Sequence, residues 1–159
     1  MQPATRWRPQ LTMGSGKVTA LPQRPIFLPV DLHAEWDLAV QARPNLLLVG
    51  ESPATDAMLL ALTPHLDKPI RQYRPEAGVP VPQPRDGALV LLEVNRLDAE
   101  QQAQLSRWLG RFDESGRVQV VSTASAQLFS LVETGAFLAS LYYRLNVVRM
   151  DLTPGGSIP

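Results

Sequence analysis

Three short stretches set the rhythm of the chain: the apolar runs "NLLLV" (45–49) and "ALVLLEV" (88–94), and the valine-rich "RVQVVST" (117–123), read as a third buried strand. Each is short, bounded by turn-forming or polar residues and without alternation, the pattern of a strand covered on both faces. "NVVRMDL" (146–152) reads as a last strand, and "PIRQY" (69–73) as a short edge strand before the proline-rich "RPEAGVPVPQPRDG". Between the strands the apolar period changes. Leu32, Trp36 and Val40 recur at spacing four, with Asp31 placed to cap the helix and Pro44 beyond its end. Residues 56–66 read as a helix. Asp98 caps "DAEQQAQLSRWLGRF", in which Leu105, Trp108, Leu109 and Phe112 share a face. "AQLFSLVETG" and "AFLASLYYRL" form a helical stretch broken near Gly135. Strands alternating with helices predict parallel strands joined by right-handed crossovers. No internal repeat is present.

Composition narrows the function classes. The 159 residues suffice for one domain with a real core, and 45% are hydrophobic. A formal net charge of +0 argues against bulk attraction to nucleic acid or anionic membrane, so no direct nucleic-acid binding is expected. The absence of cysteine excludes disulfides and thiolate metal sites. His33 and His65 stand far apart without ligand spacing and read as ordinary surface or helix residues. No apolar run reaches the roughly 20 residues of a membrane helix, and "MQPATRWRPQ" has no apolar signal core. The expectation is a cytoplasmic protein.

Residues 1–30 form a separate compositional unit. They hold Arg6, Arg8, Lys17 and Arg24, five prolines and no acid, which predicts a flexible basic arm. Inside it, the Gly16-Lys17 pair of "MGSGKVT" mimics a phosphate loop. The glycine needed five residues earlier is Leu11, Val18 replaces the metal-binding hydroxyl, and no strand precedes it. The expected organisation is an arm (1–30), a folded domain (31–152) and a tail (153–159).

The stretch "NLLLVGESPATDAML" begins like a nucleotide-binding domain, with a buried strand running into a glycine turn. From about Asn45 to Leu152 the chain resembles the AAA+ core of the sigma-54-dependent transcription activators, the bacterial enhancer-binding proteins. The residues that carry the likeness are "NLLLVGES", "GALVLLEV" followed by "LDAEQQAQLSRWL", "VQVVSTAS" and, most specifically, "LVETGAFLASLYYRLNVV". The resemblance implies an α/β, three-layer, P-loop NTPase-like fold with a mostly parallel sheet of about five strands. No lid domain is expected after Asp151, nor a DNA-binding helix-turn-helix behind it.

The family's functional positions then depart one by one. Its first loop reads glycine-glutamate-serine-glycine-threonine-glycine-lysine-glutamate. Gly50, Glu51 and Ser52 match, while Pro53, Ala54, Thr55, Asp56 and Ala57 do not. Such a loop cradles phosphate oxygens with consecutive backbone N–H groups. Pro53 withholds one donor, and Thr55 puts a β-branched side chain where glycine allows close approach. Asp56 replaces the lysine. A cation 4 Å from a phosphate charge gains about 4 kcal/mol at an effective dielectric near 20, and a carboxylate reverses the sign. Alternatively, Asp56 is an ordinary acid near a helix N-terminus.

The second acidic motif has Leu92 at the magnesium-organising aspartate position and keeps only Glu93, since leucine offers no oxygen to the metal. Ser125 stands at the sensor asparagine. Of the two arginines that reach a neighbouring subunit's nucleotide in family rings, Leu138 replaces the first and Arg144 retains the second. In this chain Arg144 is expected to meet a carboxylate or a helix end. The family's sigma-contacting loop, with its glycine-alanine-phenylalanine-threonine-glycine-alanine signature, has no counterpart in "HLDKPIRQYRPEAGVPVPQPRD".

These departures lead to a non-catalytic, pseudo-ATPase interaction module with no catalytic residue, no metal and no ATP cofactor. A vestigial nucleotide loop remains in Gly50, Glu51, Ser52, Thr55 and Asp56, with Glu93 and Arg144. Its partner would be a protein, either an active AAA+ activator or a second copy, with Tyr142, Tyr143 and Arg144 as contact residues. One competing reading keeps ATP binding without hydrolysis. Another, weaker on two isolated carboxylates, is a hydrolase using Asp56 and Glu93.

Overall fold

The computed structural model describes residues 23–111 and 118–153, together with the backbone but not the side chain of Phe112. The "MGSGKVT" segment, most of the basic arm and all but the first residue of the tail lie outside the described residues. Five strands, β1 (Leu46–Val49), β2 (Ile70–Tyr73), β3 (Ala88–Leu91), β4 (Gln119–Ala124) and β5 (Val148–Asp151), form one sheet. Its order is β2-β3-β4-β1-β5, and every neighbouring pair is parallel. Around it lie α1 (His33–Gln41), α2 (Ser52–Leu62), α3 (Ala99–Phe112), α4 (Leu128–Thr134) and α5 (Ala139–Leu145).

The apolar runs become strands because both faces of the sheet are covered. All residues of β1, β3 and β4 are buried. Leu46 and Leu48 face α1 and α2, packing with Trp36, Ala39, Met58 and Leu62. Leu47 and Val49 face the opposite layer with Leu105, Trp108, Leu109, Leu141 and Leu145. Each fully buried leucine contributes about 1.5–3 kcal/mol, so a one-residue slip of β1 would exchange the two layers' partners. The edge strand β5 alternates, with Val148 and Met150 buried and Arg149 and Asp151 exposed. The result is the expected three-layer α/β architecture.

Several boundaries differ from the sequence expectation. Asp31 caps no helix: it lies inside a short 3-10 turn, Val30–Leu32, and α1 begins at His33 without a side-chain cap. The turn seats Leu32 in the core beside Leu28. Packing therefore starts before residue 31, where Arg24 also pairs with Asp37. The first helix after β1 starts at Ser52 rather than 56, and its last turn tightens into a 3-10 turn at Thr63–His65. The run 88–94 stops being a strand at Leu91, because Glu93 turns the chain with a positive φ of 56°. At α3 the expectation holds. Gln101 N–H donates to Asp98 Oδ1 at 2.8 Å, and Asp98 N–H donates to Gln101 Oε1 at 2.9 Å. This is a reciprocal capping box. Among the described residues no helix is long and apolar enough to cross a membrane.

Candidate functional site

Parallel α/β sheets gather loops at the carboxyl ends of their strands, and ligands of such folds bind there. In this chain that edge holds an open cleft of about 280 Å³. One wall is Gly50, Glu51, Ser52, Thr55 and Asp56, running from β1 into α2; the other is Arg74, Leu92, Glu93 and Asn95, with Thr123 and Ser125 between them. Gly50 is needed for a close approach, since a Cβ there would sit 3.2 Å from Leu152 Cβ.

The first wall is wound into helix. Glu51 is the N-cap residue of α2, Pro53 occupies its first turn, and no side chain caps it. The Glu51 carbonyl accepts from Ala54 N–H and Thr55 N–H, each at 3.0 Å. Proline suits this place because its fixed φ is already helical. Amides that a phosphate loop would aim at a ligand are thus spent within the first helical turn. Thr55 is buried and its hydroxyl donates back to the Ser52 carbonyl of its own helical turn at 3.3 Å. Asp56 is exposed on the next position, at the cleft.

The second wall is an ionic cluster. Glu93 has a left-handed backbone, a conformation that costs a non-glycine residue about 1–3 kcal/mol. Its N–H donates to Thr123 Oγ1 at 2.8 Å, which ties the strained residue to β4. Its carboxylate accepts from Arg96 Nη1 at 3.1 Å and from Arg74 Nη1 through the other oxygen. Chiefly through the Arg96 hydrogen bond, with Arg74 adding to it against a desolvation that opposes, the Glu93 carboxyl is held below the usual range. Beside it, Asn95 Oδ1 accepts from Ser125 N–H at 3.1 Å. Leu92, at the aspartate position, is buried. Among the described residues no group of three or more His, Asp or Glu could hold a metal ion.

Gly50, Glu51, Ser52, Thr55, Asp56 and Glu93 therefore meet in one cleft, and Arg144 does not join them. The last turn of α5 leads into the start of β5, so Arg144 lies near the opposite edge of the sheet. Its carbonyl accepts from Asn45 Nδ2 at 2.9 Å, and its guanidinium lies against Gly110, near the C-terminal end of α3. The two tyrosines also separate. Tyr142 is buried in the core, edge-on to Tyr143 and tilted against Phe129, whereas Tyr143 is 67% exposed. Adjacent helical residues point about 100° apart, so only one of the pair faces outward. Arg74 and Asn95 were missed in the sequence. The available signal was position alone, since each follows a parallel strand at its carboxyl end.

Residues 31–154 match the family model of the sigma-54 interaction domain. The chain is 30% identical over 122 residues to the HTH-type transcriptional regulatory protein TyrR of Salmonella typhimurium, covering 71% of this chain and 22% of that protein. It is 37% identical over 86 residues to the Nif-specific regulatory protein of Rhizobium leguminosarum bv. trifolii, covering 46% of this chain and 24% of that one. It thus spans less than a quarter of the length of these relatives. Crystal structures of NtrX from Brucella abortus share the fold. The ATP complex superposes with a TM-score of 0.61 at 18% identity, over 77% of this chain and 34% of that one. For the ADP complex the values are 0.62, 17%, 82% and 37%. With residues 31–154 matched by that family model, the chain belongs to the sigma-54 interaction domain family.

Proposed function

We propose that this chain is a non-catalytic, pseudo-ATPase member of the family that acts as a protein-interaction or regulatory module in bacterial transcription control. The observation that carries this reading is the start of α2. Helix begins at Ser52 and consumes the amides of Ala54 and Thr55, so the wall that would cradle phosphates has no loop left to do so. Three further features support it. Asp56 stands where the family has lysine, the Leu92 side chain offers a metal no oxygen, and both carboxylate oxygens of Glu93 are engaged, by Arg74 and Arg96. The apolar positions of the sheet, by contrast, are intact. Of the contact candidates, Tyr143 keeps an exposed ring suited to a partner; Tyr142 belongs to the core.

Titration calorimetry of the purified chain with ATP and ADP, each with magnesium, tests this reading. The expected outcome is no binding heat at millimolar ligand, alongside no release of inorganic phosphate. Saturable binding with phosphate release overturns it. A second reading, nucleotide binding without hydrolysis, draws on the persistence of a polar cleft in a fold that binds ATP and ADP in NtrX. It is separated from the first by the same titration, through binding without turnover. The quadruple variant Pro53→Gly, Thr55→Gly, Asp56→Lys and Leu92→Asp is the positive control.

A further inference from the structure

Arg74 and Arg96 come from different elements, one directly after β2 and the other from the 3-10 turn Val94–Arg96 after β3. They converge on a single carboxylate, each taking one oxygen of Glu93. Two guanidiniums spread over two oxygens is the arrangement that recognises a phosphate or a carboxylate. The group they hold belongs to a cleft-lining residue, and Arg74 itself lines the cleft. We propose that Arg74 and Arg96 form an oxyanion clamp on the β2–β3 side of the cleft, which Glu93 fills as a built-in plug, and that a single phosphate-sized oxyanion takes its place when the plug swings out.

Three observations make the plug removable. The arginine side chains are 54% and 61% exposed, and ion pairs this open to water hold weakly. The Glu93 backbone is anchored independently, through its N–H to Thr123 Oγ1, so the side chain can leave without unfolding the turn. The cleft is open, and Arg74 lines it beside Glu93, so an oxyanion can reach the clamp. The clamp also needs nothing from the α2 wall, which has no phosphate loop. The inference deepens the proposed reading by giving the same cleft a ligand class. It fails separately from that reading, because it concerns a lone oxyanion on the opposite wall.

The test uses the full chain and inorganic phosphate at constant ionic strength, read by calorimetry and by phosphorus NMR line broadening. Glu93→Asn removes the plug with a residue that tolerates a positive φ, and Glu93→Gln keeps its length without its charge. Either variant is expected to bind phosphate about tenfold or more tightly than the wild-type chain, a difference of about 1.4 kcal/mol. Adding Arg74→Ala or Arg96→Ala should abolish the gain. The proposal is overturned if folded Glu93→Asn and Glu93→Gln chains bind phosphate no better than wild type, or if the gain survives loss of both arginines. Should Glu93→Asn not fold, Glu93→Gln alone decides. Hydrolysis of magnesium-ATP by the wild-type chain would instead count against the pseudo-ATPase reading and leave this test standing.

Discussion

The helices α2 and α3 both follow parallel strands and both begin at the carboxyl edge of the sheet, yet they start in opposite ways. At α3, Asp98 and Gln101 exchange side-chain hydrogen bonds with each other's backbone N–H, and Gln101 Nε2 reaches on to Tyr73 Oη, Glu76 O and Val79 O, each at 3.0 Å. At α2 no side chain caps the helix, and its first turn is held by backbone bonds to Glu51 and by Pro53. One start is built by specific polar side chains that also tie down a neighbouring loop. The other is built from backbone bonds and a proline already set in a helical φ. The difference lies in polar side chains: at α3 they hold the helix start and a neighbouring loop together, and at α2 they do neither.

That contrast can be broken most severely at Gln101. Gln101→Ala removes the reciprocal cap and the three Nε2 bonds to Tyr73 Oη, Glu76 O and Val79 O, although Tyr73 Oη still donates to Val79 O and Val79 N–H to Glu76 O, so urea unfolding should report a loss of about 2 kcal/mol. Equality with wild type would deny the α3 cluster its role. Asp98→Ala removes only the cap and should cost about 1 kcal/mol in the same assay. At α2 the sign reverses. Glu51→Ser places a hydroxyl where no side chain now caps the helix, and a gain of about 0.5 kcal/mol is expected. A loss at Glu51→Ser would mean that the glutamate already serves the helix start, and the two termini would then differ less than their hydrogen bonds indicate.

The sheet was legible because burial on both faces leaves uninterrupted apolar runs, and the capping box of α3 because its partners lie three residues apart. The start of α2 was obscured by the expectation of a loop between Gly50 and Asp56. A proline at 53 is compatible with a broken loop and with a first helical turn alike, and only the Glu51 carbonyl's two amide partners distinguish them. Asp31 was misplaced for a related reason, since burying Leu32 draws the residues before it into a tighter turn. Tyr142 and Tyr143 could not be sorted without knowing that α5 packs on α3. Arg144 joined the cleft by analogy alone; the direction of α5 carries it to the other edge. Arg74 escaped notice because its partner, Glu93, lies nineteen residues away with no motif linking them.

The crossover between β2 and β3 carries one more consequence. It contains no helix, yet it is fastened at both ends of its tip: Tyr73 Oη and Gln101 Nε2 each donate to the Val79 carbonyl, and Val81 and Pro84 are buried. Between these anchors the turn at Ala77 and Gly78 is exposed, with nothing within 4 Å of where a Gly78 side chain would begin. New residues spliced into that turn would stand on a rigid pedestal and leave the sheet undisturbed. The fold thus offers evolution, or a protein engineer, a ready place to graft a recognition loop.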